Sequence, residues 1–122
     1  MALEPLAKEG HFFHIYDFKV KAGTGEEFIR LFNKFDYSDE NPMHKSAAQV
    51  KDGVLCRDVT DSDHFWLIGE WRDIDVHAGI RKILAEKLKP EFIKLIEGGK
   101  FVPAYARIVS STPQDVLDKA QR

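Results

Sequence analysis

The chain has 122 residues, enough for one domain and short for two. Apolar residues make up 43% and charged residues 31%, and a formal charge of −2 gives no basic footprint for nucleic acid. The lone cysteine, Cys56, excludes an internal disulfide and any CxxC chemistry; no apolar run is long enough for a membrane span or a signal-peptide core, so a cytoplasmic location is expected.

The elements read in chain order as follows. Residues 1–10 form a mixed N-terminal extension. Phe12 to Lys21 reads as a strand, with Phe12, His14, Tyr16, Phe18 and Val20 on one face. Ala22 to Gly25 breaks it, and Thr24 with Glu27 predicts a capping box at the start of a helix. Phe28, Leu31, Phe32 and Phe35 then supply one helical face, which fades near Tyr37. Residues 43–50 fit either a short helix or a loop. Gly53 to Val59 and Phe65 to Trp71 read as a hairpin across the turn Thr60 to His64.

Asp73 or Asp75 is expected to cap a second helix whose buried stripe is Val76, Ile80, Ile83 and Leu84. Pro90 fits the first turn of a following helix whose apolar side is Phe92, Leu95 and Ile96, and Gly98-Gly99 ends it. Phe101 to Ser110 reads as the last strand, with Pro103 marking an edge or a bulge. Residues 111–122 form a polar tail. The order is βαββαβ, which predicts an α+β, ferredoxin-like domain over residues 11–110 with a four-stranded antiparallel sheet. Helices cover one face of such a sheet, and a second subunit is the simplest cover for the other, so a homodimer is expected.

KVKAGTGEEF at 19–28, the hairpin GVLCRDVTDSDHFWLIGEW at 53–71, and within it Arg57-Asp58 and Glu70-Trp71, resemble the antibiotic biosynthesis monooxygenase family over roughly residues 11–110. The resemblance implies a dimeric α+β barrel, a pocket between sheet and helices in each subunit, and, in some members, oxidation of phenols or quinols by dioxygen without a cofactor. Haem-degrading members use an Asn, a Trp and a His. Aligned on Lys19 to Glu27, the Asn position holds Tyr16 and the Trp position falls near Ile80, which speaks against haem. The His that many oxygenase-like members carry also falls near Ile80, and the nearest histidine is His77.

The candidate chemistry follows from these placements. His14 and Tyr16 share one strand face and can bind a phenol or move its proton; the commoner fate of such rings is burial with satisfied hydrogen bonds. His77 is either an acid/base at a pocket mouth or a half-exposed boundary residue. Arg81 either stabilises a phenolate or is solvated. Trp71, Phe32 and Phe35 are pocket walls or plain core. Cys56 is expected to be a small buried strand residue. The five histidines form no HxxxH or HExxH, so no metal site is assigned, and GTG at 23–25 is not a nucleotide loop. Two readings follow. One is a cofactor-independent monooxygenase of a small aromatic phenol or quinol, with His14 or His77 as base and Tyr16 and Arg81 as anion stabilisers. The other is a non-catalytic, small-ligand-binding or stress-related dimer on the same fold, whose pocket its own bulky residues fill.

Overall fold

A computed structural model describes residues 3–120. Four strands form one antiparallel sheet in the order β2-β3-β1-β4: β1 is Phe12–Lys19, β2 Gln49–Arg57, β3 His64–Trp71 and β4 Ala104–Arg107. Helix α1 (Gly25–Asp36) joins β1 to β2, and α2 (Ile74–Ile83) follows β3. This is the α+β, βαββαβ arrangement that the strand and helix signals predict.

The alternation of β1 sets the layers. His14, Tyr16, Phe18 and Val20 are all buried on the helix-facing side. They meet Phe28 and Phe32 of α1, Phe65 of β3, and Leu84, Phe92, Ile96 and Phe101 from the chain beyond α2. Rings dominate this core. Phe28 alone stacks or edges against Phe18, Phe32, Phe65 and Phe92 at centroid separations of 4.9–6.4 Å.

Several local expectations are revised. No capping box forms at α1: the Thr24 hydroxyl donates to the Lys21 carbonyl, and Glu27 pairs with Arg30. The carboxylate of Asp63, on the hairpin turn, takes one orphan donor instead, accepting from Gly25 N at 3.1 Å, and also accepts from Gly23 N ahead of the helix at 2.9 Å. A β-carbon on Gly25 would drive into the Ser62 carbonyl, so this turn admits only glycine there. Asp73, not Asp75, caps α2, accepting from Asp75 N and Val76 N.

The stripe of α2 is rotated. Val76 and Ile83 are exposed, while His77 is fully buried and Leu84 nearly so. The α-helical turn then widens into a π-helical one over Leu84–Leu88, where Lys89 N donates to the Leu84 carbonyl five residues back. Lys89 turns left-handed (φ 45°), and Pro90 prevents the helix from resuming. β2 starts four residues earlier than its apolar run suggests, through a register irregularity between Gln49 and Val54. β4 is shorter than its sequence signal, and Cys56 is exposed on the far side of the sheet.

The segments at the two ends pack against each other. Ala7 is buried, its carbonyl accepts from the Ser111 hydroxyl at 2.9 Å, and residues Gln114–Ala120 of the polar tail form a third helix, α3. No helix among the described residues is long and apolar enough to cross a membrane.

Candidate functional site

The antiparallel pairing of β1 places His14 between Gly69 of β3 and Tyr105 of β4. Gly69 has no side chain to hold the imidazole off the sheet; a β-carbon there would lie 2.6 Å from His14 Cε1. The ring therefore lies down on β3 and stacks on His77, at a centroid separation of 4.5 Å and an interplanar angle of 22°. Tyr16, two residues along β1, meets the edge of His14 at 5.3 Å.

His77 sits between two phenols. Its Nδ1 is 2.8 Å from the Tyr105 hydroxyl and its Nε2 is 3.4 Å from the Tyr16 hydroxyl. A neutral imidazole has one donor and one acceptor nitrogen, so one phenol donates to it and the other accepts. Burial, with Arg81 one turn away, lowers the His77 pKa to about 4. Burial, with His77 beside it, lowers that of His14 to about 3. Both rings are therefore neutral at physiological pH. Burial, with Tyr105 adding to it, holds the Tyr16 phenol protonated, well above its usual range.

His14 differs from its neighbour in one respect. It is 5% exposed, yet neither ring nitrogen has a hydrogen-bond partner among the described residues. Buried polar atoms are seldom left so, because each unpaired group costs about 1–3 kcal/mol. A narrow cavity of about 40 Å³ lies beside the ring, lined by Tyr16, Phe32, Phe35, Asn41 and Met43 among others.

His14, Tyr16 and His77 are thus brought together, and Phe32 and Phe35 stand at the cavity. Trp71 and Arg81 are placed otherwise. Trp71 is fully buried and packs edge-on to His77 at 4.9 Å, away from the cavity, with its indole nitrogen unpaired among the described residues. Arg81 gives an N–H to the Phe101 carbonyl at 2.8 Å. His77 is not at a boundary but at the centre. Gly69 and Tyr105 escaped the sequence reading; alternation along the last strand could assign Tyr105 to one of its faces, and only the register of the sheet sets it opposite His14.

No protein-family model matches the chain, and no curated protein matches it in sequence. Solved structures do. A candidate antibiotic biosynthesis monooxygenase from Chloroflexus aurantiacus J-10-fl superposes with a TM-score of 0.53 at 14% identity, over 85% of this chain and 98% of that one. A second, from Bordetella bronchiseptica, gives 0.56 at 16% identity, over 80% and 94%. The chain shares its α+β fold with both structures. A NIPSNAP family protein from Agrobacterium tumefaciens shares it too (TM-score 0.55, 13% identity, 90% of this chain and 94% of that one). At these identities the likeness is one of architecture. In this α+β frame, the His14–His77 cluster occupies the space between the sheet and α2.

Proposed function

We propose that this chain is a homodimeric α+β barrel protein that holds a small ligand at His14 and does not turn over an aromatic ring. The size of the cavity carries this reading. At about 40 Å³ it takes a water-sized guest or the polar tip of a ligand, whereas pockets that enclose an organic molecule run to roughly 300 Å³ or more. The ligand class is one that presents a hydrogen-bond donor to an unpaired, neutral imidazole.

Base strength points the same way. Oxidation of a phenol by dioxygen starts from the phenolate, and a phenol titrates near 10. An imidazole that burial holds at about 3 is a weak base for that proton. The dimer is supported by the far face of the sheet, where Phe13, Ile15, Trp66 and Ile68 are half-buried and Val54 is 59% exposed.

One observation favours the monooxygenase reading: a neutral imidazole, His77, bridges two phenols in a hydrogen-bonded chain from Tyr105 to Tyr16 at the cavity wall. Oxygen uptake over a panel of dihydroxynaphthalenes, anthrones and benzoquinols separates the two. The expected result is no uptake above the spontaneous rate. Uptake that is lost in both His14→Ala and His77→Ala would establish the oxygenase instead.

A further inference from the structure

Three side chains from three separate elements converge beside the cavity, and one of them, Asp36, lines it. Asp36 ends α1, His44 lies in the 3-10 turn Pro42–Lys45, and Asp52 belongs to the irregular start of β2. One donor atom from each lies within 4.8 Å of the others. His44 Nε2 is 3.3 Å from Asp36 Oδ1 and 2.9 Å from Asp52 Oδ1. We propose that Asp36, His44 and Asp52 form a divalent-cation site that fastens the 42–45 turn over the cavity.

The donor chemistry selects the ion class. One imidazole nitrogen and two carboxylates suit a borderline divalent ion such as Zn²⁺ or Co²⁺ better than Mg²⁺ or Ca²⁺, which take oxygen ligands. The spacing fits as well. Ligands about 2.1 Å from an ion are about 3.0–3.4 Å from each other in octahedral or tetrahedral geometry. Both measured edges fall near that range. An open depression of about 310 Å³, bordered by His44, Asp52, Ser46 and Gln49, leaves room for water to complete the coordination.

The second observation is what the turn covers. Asp36, Asn41 and Met43 line the same cavity as the unpaired His14. Asn41 is 6% exposed and ties the turn down locally, donating to Asp36 Oδ1 at 3.1 Å and accepting from Met43 N at 3.0 Å. A cation bridging Asp36 and His44 to Asp52 joins this turn to the sheet and holds Met43 against the cavity. The cation site stands whatever the cavity binds; its control of access rests on the reading of the cavity as a ligand site.

Calorimetric titration of the chelator-treated protein with Zn²⁺, and of a second sample with Co²⁺ followed by visible absorption, tests the site. One ion per chain is expected, with at least a roughly tenfold loss of affinity in His44→Ala and again in Asp52→Asn. The Asp52 side chain is 62% exposed, so its replacement leaves the fold intact. Hydrogen exchange at amides 43–46 slows on adding Zn²⁺ to the parent protein and is unchanged in Asp52→Asn. Absence of binding up to about 1 mM overturns the site, as does binding indifferent to both substitutions. Binding that leaves those amides unprotected overturns the fastening. None of these results bears on oxygen uptake, so the site and the function of the cavity fail independently.

Discussion

His14 is held in place by a neighbour with no side chain. Because a β-carbon at position 69 would lie 2.6 Å from the imidazole, Gly69→Ala must push the ring into the cavity or bend β3. A cost of about 1–3 kcal/mol is expected, read as a lower midpoint in urea at unchanged slope. His14→Phe is expected to act in the opposite sense. It keeps the ring and removes two unpaired nitrogens, so stability rises by about 1 kcal/mol or more in the same assay. A stabilising substitution at a buried histidine is the signature of a residue kept for something other than folding.

The two central histidines also set a pH dependence. Their folded pKa values, about 3 and about 4, lie below the unfolded value near 6.5. Their contribution is therefore complete above pH 6.5 and is lost as pH falls through 6.5 toward 4 and 3, by up to about 1.4 kcal/mol per pH unit for each. Melting temperature should fall steeply from pH 6.5 to 4, and His77→Gln should flatten that slope. His64 works the other way. Hydrogen bonds to Asp17 and Asp58 raise its pKa, so its contribution is complete below 6.5 and is lost as pH rises through the raised value. His64→Gln should leave the acid limb unchanged.

Among the elements, α1 shows how a local signal loses to a tertiary one. Thr24 and Glu27 have the spacing of a capping box, yet the Asp63 carboxylate reaches Gly23 N and Gly25 N first, because the β2–β3 turn packs against the helix start. Asp63→Ala should cost about 1–2 kcal/mol, and Glu27→Ala, whose partner is an exposed arginine, a few tenths at most. Thermal unfolding of the two variants side by side checks the order; equal losses would restore the capping box. The second helix teaches the same lesson about faces. Apolarity alone picks Val76 and Ile83 for the core, but the helix is turned so that His77 enters it, where two phenols satisfy both ring nitrogens.

For the whole molecule, assembly through the far side of the sheet has a direct test. Ile68 lies mid-sheet on that face, paired with Ile15 on one side and Val54 on the other. If two such faces close a barrel, Ile68→Glu buries a carboxylate in the interface and leaves a folded monomer in sedimentation velocity, while the parent sediments as a dimer. A parent that sediments as a monomer would remove the dimer from the proposal.

Strand alternation, helical periodicity and turn residues are local properties, and they were enough to define the βαββαβ order, the face of β1 that carries His14 and Tyr16, and the phenylalanine face of α1. They also brought His14, Tyr16, His77, Phe32 and Phe35 forward as candidates. What they could not decide is which atoms meet across the sheet. The flat seat of His14 on Gly69, the bond from Tyr105 to His77, the rotation of α2 and the convergence of Asp36, His44 and Asp52 depend on register and on packing between separate elements. A periodic pattern in one segment carries no information about its partner's register, so these features exist only once the sheet has closed over its helices.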